Sequence, residues 1–298
     1  MTVNTSESRG IEIVNPVHNR EIVCAFHDID GTHSLIRNWP PVMSRVLCDT
    51  EELEETDRFC VESAGLSALT QMEWAIRRHE ELTHGRYDSK TNSDIIKRIW
   101  SGEERFEDAA EPREYLEYLT DKTPKLFKVY EQVLNRFCRD GNLAEARKNP
   151  EKYLVKGSMN FMKYLHGHGV KNYFVTGAVV DKSVQPPMGM YEEVLGLGFE
   201  IGSGKTVEDI LGSTWEEKIP KDEVMRRLTE KLGVKGENVL VVGDGRSEIS
   251  AGVKMGAVTV SVLPEGAKLQ RELHRELGTN MIISDYTALC LRNYRPLT

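Results

Sequence analysis

The amino-acid sequence contains an apolar segment that runs directly into acidic residues, Ile22-Val23-Cys24-Ala25-Phe26-His27-Asp28-Ile29-Asp30-Gly31-Thr32. Five apolar residues without alternation predict a strand that is buried on both faces, as in a parallel sheet covered by helices. Asp28 and Asp30 are two residues apart, so in extended chain their carboxylates point to the same side. Gly31 allows the sharp turn that ends the strand. The segment therefore predicts two carboxylates and Thr32 at the carboxyl end of a central strand, where open α/β sheets bind ligands.

Two other interpretations of the Asp-x-Asp-Gly sequence are weaker. A solvated turn is seldom preceded by five buried apolar residues. A calcium-binding loop requires Asp or Asn at its fifth position, Gly at its sixth and Glu at its twelfth. Those positions hold Thr32, His33 and Trp39, which excludes the calcium loop.

The composition is that of a globular protein of 298 residues, of which 39% are hydrophobic and 29% are charged. No apolar run approaches the ~20 residues that span a bilayer, and the net charge of −8 argues against a nucleic-acid surface. The five cysteines form no Cys-x-x-Cys pair, which predicts free thiols rather than a disulfide framework or a zinc ribbon. Residues 1–20 resemble neither a secretory signal nor a transit peptide, so the expected location is the cytoplasm.

Residues 35–150 differ from the rest of the chain, because apolar residues recur there at helical spacing and no strand-like run interrupts them. Leu126, Tyr130, Val133 and Phe137, for example, belong to one apolar stripe that ends before Gly141. We predict an all-helical domain at residues 35–150, inserted into a core domain that is made of residues 1–34 and 151–298.

After residue 150, short apolar strands alternate with helices, which predicts an α/β fold with a doubly wound parallel sheet. The section from Gly177 to Gly212 contains Pro186-Pro187 and several glycines and predicts loops, and Ser213-x-x-Glu216 has the spacing of a helix capping box. The predicted helices cover residues 158–166, 221–232, 247–255 and 268–277, and the predicted strands cover 173–177, 239–244, 258–262 and 281–285.

Polar side chains follow three of the predicted strands: Asp28 and Asp30 the first, Thr176 the second and Asp244 the third. Because parallel strands bring their carboxyl ends to one edge of the sheet, we expect these groups to converge. Three carboxylates without a His or Cys ligand suit a hard cation, and Mg²⁺ is the expected ion. Lys221, at a predicted helix start, is placed to bind a phosphate.

These ordered motifs resemble those of the haloacid dehalogenase superfamily, with Asp28-x-Asp30-Gly31-Thr32, then Thr176-Gly177, then a lysine, then Gly243-Asp244-Gly245-Arg246-Ser247-Glu248. The resemblance covers the first strand and roughly residues 152–285. It implies a Rossmann-like core of the family's type. It also identifies the helical insertion as a C1 cap domain, as in phosphoglycolate-phosphatase-like members.

The resemblance further implies a Mg²⁺-dependent phosphomonoesterase that acts on a small phosphorylated metabolite. Asp28 would be the nucleophile that forms an aspartyl phosphate, and Asp30 would be the general acid and base. The implied Mg²⁺ ligands are Asp28, Asp30 through its backbone carbonyl, Asp244 and Glu248. The implied substrate-binding residues are Gly31, Thr32, Thr176, Gly177 and Lys221.

Several of these assignments have alternatives. The phosphate-binding lysine is either Lys221 or Lys218, and Lys221 is preferred for its spacing to the following helix. Glu248 stands where many members have a second aspartate, so it either reaches the metal, directly or through water, or is a helix-start charge favoured by the dipole. Asp30 favours phosphate over halide chemistry, because halide leaves without a proton. A phosphomutase, a phosphonoacetaldehyde-hydrolase-like enzyme and a non-catalytic phosphate-binding protein remain alternatives.

Two other features bear on ligand binding. Residues 202–206 are similar to a nucleotide-binding loop, but Phe199 stands where that motif requires glycine, so we expect a surface loop. His33 and Arg37 begin the segment between core and insertion, and they are candidates for contact with a substrate anion, with a linker salt bridge as the alternative. No nucleic-acid or membrane partner is expected, and the oligomeric state is left open.

Overall fold

The computed structural model describes residues 1–3, 10–37, 139–183, 188–213 and 219–287. The chain divides into two compact units, one formed by Met1–Ile36 with Asn142–Thr298 and the other by Arg37–Gly141. The units thus divide after residues 36 and 141, whereas the sequence-based domains divide after residues 34 and 150. The predicted helices between residues 38 and 138 lie outside the described residues, so the all-helical cap stays a prediction.

The strands of the described residues form one large sheet and one small one. They are β1 (Thr2–Val3), β2 (Ile11–Ile13), β3 (Arg20–Glu21), β4 (Cys24–His27), β5 (Lys171–Asp181), β6 (Met188–Gly189), β7 (Asp209–Ser213), β8 (Val239–Gly243), β9 (Val258–Val262) and β10 (Met281–Ile283). The large sheet has the order β2-β10-β9-β8-β4-β5-β6, with β7 also paired to β5, and β1 pairs with β3. Strands β10, β9, β8, β4, β5 and β7 are parallel, while β2 and β6 are antiparallel to their neighbours.

Helices cover both faces of this sheet. They are α1 (Asp140–Ala146), α2 (Ser158–Gly167), α3 (Met190–Gly196), α4 (Lys221–Leu232), α5 (Arg246–Lys254) and α6 (Lys268–Glu276), with 3₁₀ turns at Pro150–Tyr153 and Gly236–Asn238. Phe26 of β4 shares a core cluster with Met225 of α4. Ala25, which points to the opposite face, shares another cluster with Phe161 of α2. The predicted doubly wound parallel α/β sheet is therefore confirmed.

The loop prediction for the section from Gly177 to Gly212 is wrong in four places, because this section contains the end of β5, all of β6 and α3, and most of β7. Gly212 does not mark a loop: a Cβ at this position would lie 2.7 Å from the Ala178 carbonyl oxygen, so glycine permits the close approach of β7 to β5. The capping-box interpretation of Ser213 depends on Glu216, which lies outside the described residues, so it stays a prediction. Ser213 ends β7, its hydroxyl donates to the Gly177 carbonyl at 3.1 Å, and it accepts from the Ile219 amide at 3.0 Å.

No helix in the described part of the chain has both the length and the apolar character needed to cross a membrane.

Candidate active site

Strand β4 lies between β5 and β8, so the polar residues that follow β4 and β8 are neighbours, and Thr176 of β5 is on the other side of β4. His27 pairs with Phe174 of β5 and with Val242 of β8. Asp28 follows at once, and its backbone N–H donates to the Val242 carbonyl at 2.9 Å. This register brings Thr176 and Asp244 to the same edge of the sheet as Asp28.

Three carboxylates meet at this edge. One oxygen each of Asp28, Asp244 and Glu248 lies within 4.8 Å of the other two, and Asp28 and Glu248 are buried while Asp244 is partly exposed. Asp28 and Asp244 follow neighbouring strands, and Glu248 comes from the first turn of α5. The side chain of Asp30, itself a described residue, is not a member of this cluster, so its expected contribution through the backbone carbonyl stays a prediction.

Lys221 lies within the carboxylate cluster. It is the first residue of α4, and its ammonium nitrogen Nζ is 2.8 Å from Asp28 Oδ1 and 2.9 Å from Glu248 Oε2. Only 9% of its side chain is exposed. The geometry thus brings together the nucleophile candidate and the preferred phosphate-binding lysine, whereas Lys218 lies outside the described residues.

Glu248 is held by the protein through both of its carboxylate oxygens. Oε1 accepts the Gly245 amide at 2.6 Å, and Oε2 accepts Lys221 and the Ser247 hydroxyl at 2.9 and 3.1 Å. A Cβ at Gly243 would lie 2.4 Å from Oε1, so only glycine leaves room for this arrangement. Glu248 therefore has the helix-start role given above as the alternative, because it caps the N-terminus of α5, and it also contacts Lys221; its contact with a metal stays a prediction.

The turn after β4 positions Asp244. Thr32 is fully buried, and its hydroxyl donates to Asp244 Oδ1 at 3.0 Å. Gly31 has a φ of +72°, and a Cβ at this position would lie 2.1 Å from Asp244 Oδ2. In this structure Thr32 binds the carboxylate of Asp244 and Gly31 leaves room for it. The direct contact of these two residues with a substrate stays a prediction.

Comparison with known proteins identifies the family. The model of the haloacid dehalogenase-like hydrolase family matches residues 24–256, which is most of the chain. The chain belongs to this family. The hydrolase is also similar in fold to solved structures, although the comparison with curated proteins gave no match.

Two of these structures show the extent of the similarity. A putative phosphoglycolate phosphatase from Lactobacillus delbrueckii subsp. bulgaricus has 16% identity over 88% of this chain and 94% of that chain, with a TM-score of 0.52. A β-phosphoglucomutase from Clostridium difficile has 11% identity over 89% of this chain and 91% of that chain, with a TM-score of 0.49. At such identities the likeness concerns the fold alone.

Burial and mutual repulsion control the charges in the hydrolase site. Burial raises the pKa of Asp28, and Lys221 only partly offsets this. Burial, followed by the charges of Asp28 and Glu248, raises the pKa of Asp244 well above its ordinary value. Burial also acts to raise the pKa of Glu248, but Lys221 and the Gly245 amide bring it below the ordinary value. The cluster thus favours any added positive charge.

Thr176 and Gly177 lie inside β5, at the register irregularity between Val175 and Val179, so the prediction that the second strand ends there is wrong. Thr176 is buried, and its hydroxyl oxygen accepts the Ala178 amide at 3.1 Å. The Gly177 carbonyl accepts the Ser213 hydroxyl described above, which connects the middle of β5 to the end of β7. Both residues lie at the edge that carries Asp28, and their contact with a phosphate stays a prediction.

The interpretation of His33 as a contact for a substrate anion is wrong. Its imidazole is fully buried and bonds to the Ser158 hydroxyl at 2.7 Å, to His27 at 3.1 Å and to the Tyr286 hydroxyl at 3.2 Å. Burial lowers its pKa well below the ordinary value, so it carries no charge to offer an anion. Sequence spacing could not reveal this network, because His33, Ser158 and Tyr286 come from three distant segments.

We expect Gly31→Ala to destabilise the hydrolase more than Gly169→Ala does. Both glycines have positive φ, but a Cβ at Gly169 meets nothing within 4 Å, whereas at Gly31 it overlaps the Asp244 carboxylate. The backbone strain of either substitution costs about 1–2 kcal/mol, and overpacking at Gly31 adds roughly 1–3 kcal/mol. Urea unfolding of both variants measures the difference, and equal losses would contradict the close packing of Gly31 on Asp244.

Proposed function

We propose that this hydrolase is a Mg²⁺-dependent phosphomonoesterase that acts on a small phosphorylated metabolite. One observation carries the proposal: the Asp28 carboxylate lies at a strand end, 2.8 Å from the Lys221 ammonium and inside a cluster with Asp244 and Glu248. This contact supports the proposal, because a carboxylate oxygen that attacks phosphorus would need a neighbouring cation to attract the phosphate.

The residues of the cluster suit a divalent cation. Asp28, Asp244 and Glu248 offer three negative charges, and Lys221 is the positive charge that acts on each of them. When these four side chains are ionised, their charges sum to two negative charges, which is the charge that one Mg²⁺ ion balances. Carboxylate and carbonyl oxygens are also its preferred ligands. Asp28, Asp244 and the Asp30 carbonyl would hold the ion directly, with Glu248 as an outer partner because its oxygens are already bonded.

When bound, Mg²⁺ supplies positive charge that lets an anionic nucleophile approach an anionic phosphate. The Lys221 ammonium, the Thr176 hydroxyl and the Gly177 amide would neutralise the non-bridging phosphate oxygens. Because Lys221 already contacts Asp28, it would bind the phosphate next to the attacking oxygen.

The reaction would proceed in two steps. In the first, an Asp28 oxygen forms a bond to phosphorus, the bond from phosphorus to the ester oxygen breaks, and Asp30 donates a proton to the leaving alkoxide. In the second, Asp30 accepts a proton from water, the water oxygen bonds to phosphorus, and the bond to Asp28 breaks. Inorganic phosphate leaves, and both carboxyl groups return to their starting states.

We expect the purified protein to release inorganic phosphate from at least one member of a panel of small phosphate esters. The panel should include sugar phosphates, phosphorylated carboxylic acids, nucleoside monophosphates and p-nitrophenyl phosphate. Release should require Mg²⁺, stop on chelation with EDTA and return when Mg²⁺ is added in excess. Release that is unchanged by EDTA would contradict the metal-dependent mechanism.

The same assay separates hydrolysis from phosphoryl transfer within a sugar. A phosphomutase would use the same carboxylates, so the reaction mixtures should also be analysed for isomerised sugar phosphates. Isomer formation without inorganic phosphate would replace the phosphomonoesterase proposal with a phosphomutase. If no ester yields inorganic phosphate or an isomer, the result would favour a non-catalytic phosphate-binding protein.

A further inference from the structure

Five buried polar side chains form a continuous hydrogen-bonded network behind the carboxylate cluster. They are His27, His33, Ser158, Asn172 and Tyr286, each with at most 1% of its surface exposed. Such a network is stable only if every donor meets an acceptor, because a buried polar group without a partner is costly. The directions of its hydrogen bonds can therefore be assigned.

The assignment begins at Asn172. Its Nδ2 amide donates to the Met162 and Thr206 carbonyls at 3.0 and 2.9 Å, which fixes the orientation of the side chain. The Oδ1 atom must then accept from Nε2 of His27, at 3.2 Å. The His27 ring is fully buried against Phe161 and Phe174, where an unpaired charge would be costly, so its imidazole is neutral and its Nδ1 atom is an acceptor.

The direction continues through His33. Its Nε2 atom is 3.1 Å from the acceptor Nδ1 of His27, so Nε2 of His33 carries the hydrogen. Burial lowers the pKa of His33, so its Nδ1 atom accepts the hydrogen of the Ser158 hydroxyl at 2.7 Å. Both imidazoles are thus neutral and have the Nε2–H tautomer.

Tyr286 connects this network to the active site. Its ring stacks on His33 with centroids 4.9 Å apart, and its hydroxyl oxygen is 3.2 Å from the hydrogen-bearing Nε2 atom. Because that atom is a donor, the hydroxyl hydrogen of Tyr286 points to its other neighbour, the Thr32 carbonyl, at 2.9 Å. Thr32 in turn donates its side-chain hydroxyl to Asp244 at 3.0 Å.

We propose that Tyr286 is a positioning residue for the cation site: by holding the Thr32 carbonyl, it fixes the hydroxyl that orients the Asp244 carboxylate. The inference rests on the cation-dependent function proposed above. Tyr286 follows β10 and is 254 positions from Thr32, so the two ends of the described core meet here. The stacked His33, with its single tautomer, keeps the tyrosine hydroxyl directed toward Thr32.

The first test measures cation affinity rather than turnover. Mn²⁺, as a spectroscopic substitute for Mg²⁺, is titrated into the full-length protein and followed by electron paramagnetic resonance. We expect Tyr286→Phe to weaken Mn²⁺ binding by roughly tenfold, the lower end of the effect of losing a partner of a metal ligand. Tyr173→Phe is the matched control, because Tyr173 is also a buried tyrosine but packs against Phe26 in another cluster. Unchanged affinity in Tyr286→Phe would overturn the inference.

The second test asks whether Tyr286 acts through Thr32. Thr32→Val removes the hydroxyl that bonds to Asp244 and is expected to weaken Mn²⁺ binding on its own. If Tyr286 acts through this hydroxyl, the double variant should bind Mn²⁺ no more weakly than Thr32→Val. A general packing defect would instead add its full effect in the double variant, and that result would overturn the inference.

The third test uses the unmodified protein, so it does not depend on whether a variant folds. Long-range ¹H–¹⁵N correlation spectra should show His27 and His33 as neutral Nε2–H tautomers at pH 7. An Nδ1–H tautomer at either position would reverse the assigned direction and overturn the inference. A wild-type protein that binds Mn²⁺ but hydrolyses no ester would contradict the proposed function and leave all three measurements interpretable.

Discussion

Asp28→Asn is expected to reduce phosphate release by at least about a thousandfold, as is typical when an essential nucleophile is removed. The amide keeps the size of the side chain and the position after β4, but it is a poor nucleophile toward phosphorus. Asp28 is buried, with 7% of its surface exposed, and it lies beside Lys221. A carboxylate ion from the solution therefore cannot replace its side chain. Single-turnover measurements with the best ester of the panel give the change directly.

Asp222→Asn is the matched control for this loss. Asp222 is the next residue after Lys221 and is exposed. Its replacement by asparagine also removes one carboxylate charge, but from the surface of the protein and not from the buried cluster. We expect nearly unchanged release in this variant, since an exposed charge in the first turn of a helix contributes about 0.3–1 kcal/mol to stability and no chemistry. Undiminished release by Asp28→Asn would refute the nucleophile assignment, whatever the control shows.

The strands next to the site could be predicted because their signals are local. The apolar run before Asp28 becomes the buried strand β4, and β9 and α4 have the bounds that their residue patterns predict. The convergence of Asp28 and Asp244 follows from the same information, since parallel strands that end in polar residues must present them at one edge. Local pattern and sheet topology together therefore yield the position of the acidic cluster.

The failures have physical reasons that concern tertiary contacts. Strand β7 contains Asp209 and Gly212 and resembles a loop, but its place beside β5 supplies the backbone partners and requires glycine at the close approach. The two oxygens of Glu248 accept hydrogen bonds from Lys221 of α4 and from the Gly245 amide before α5, which spacing alone does not indicate. The hydrogen bond from Tyr286 to Thr32 likewise depends on tertiary packing, because the two residues are 254 positions apart in the sequence.

Lys221→Met is expected to destabilise the protein by about 3–5 kcal/mol at neutral pH, the usual cost of removing one partner of a buried ion pair. Methionine fills a similar volume, so the loss arises mainly from charge. Asp28 and Glu248 would keep their burial but lose the ammonium that lies 2.8 and 2.9 Å from them. Lys231→Met is the matched control, because Lys231 is an exposed lysine in the last turn of the same helix, and it should change the free energy of unfolding by less than about 0.5 kcal/mol.

The loss in the free energy of unfolding caused by Lys221→Met should grow as the pH rises. In the intact site, burial already raises the pKa of Asp28 and Asp244, and Lys221 opposes this rise and lowers the pKa of Glu248. Without Lys221 all three pKa values move up, so the folded state takes up more protons than the unfolded state, and stability falls as pH rises through the new folded-state values. Urea unfolding should therefore show a larger penalty at pH 8 than at pH 5, and saturating Mg²⁺ should recover part of it at pH 8 by binding only the folded state. A penalty that is independent of pH would show that the loss comes from packing and not from uncompensated carboxylates.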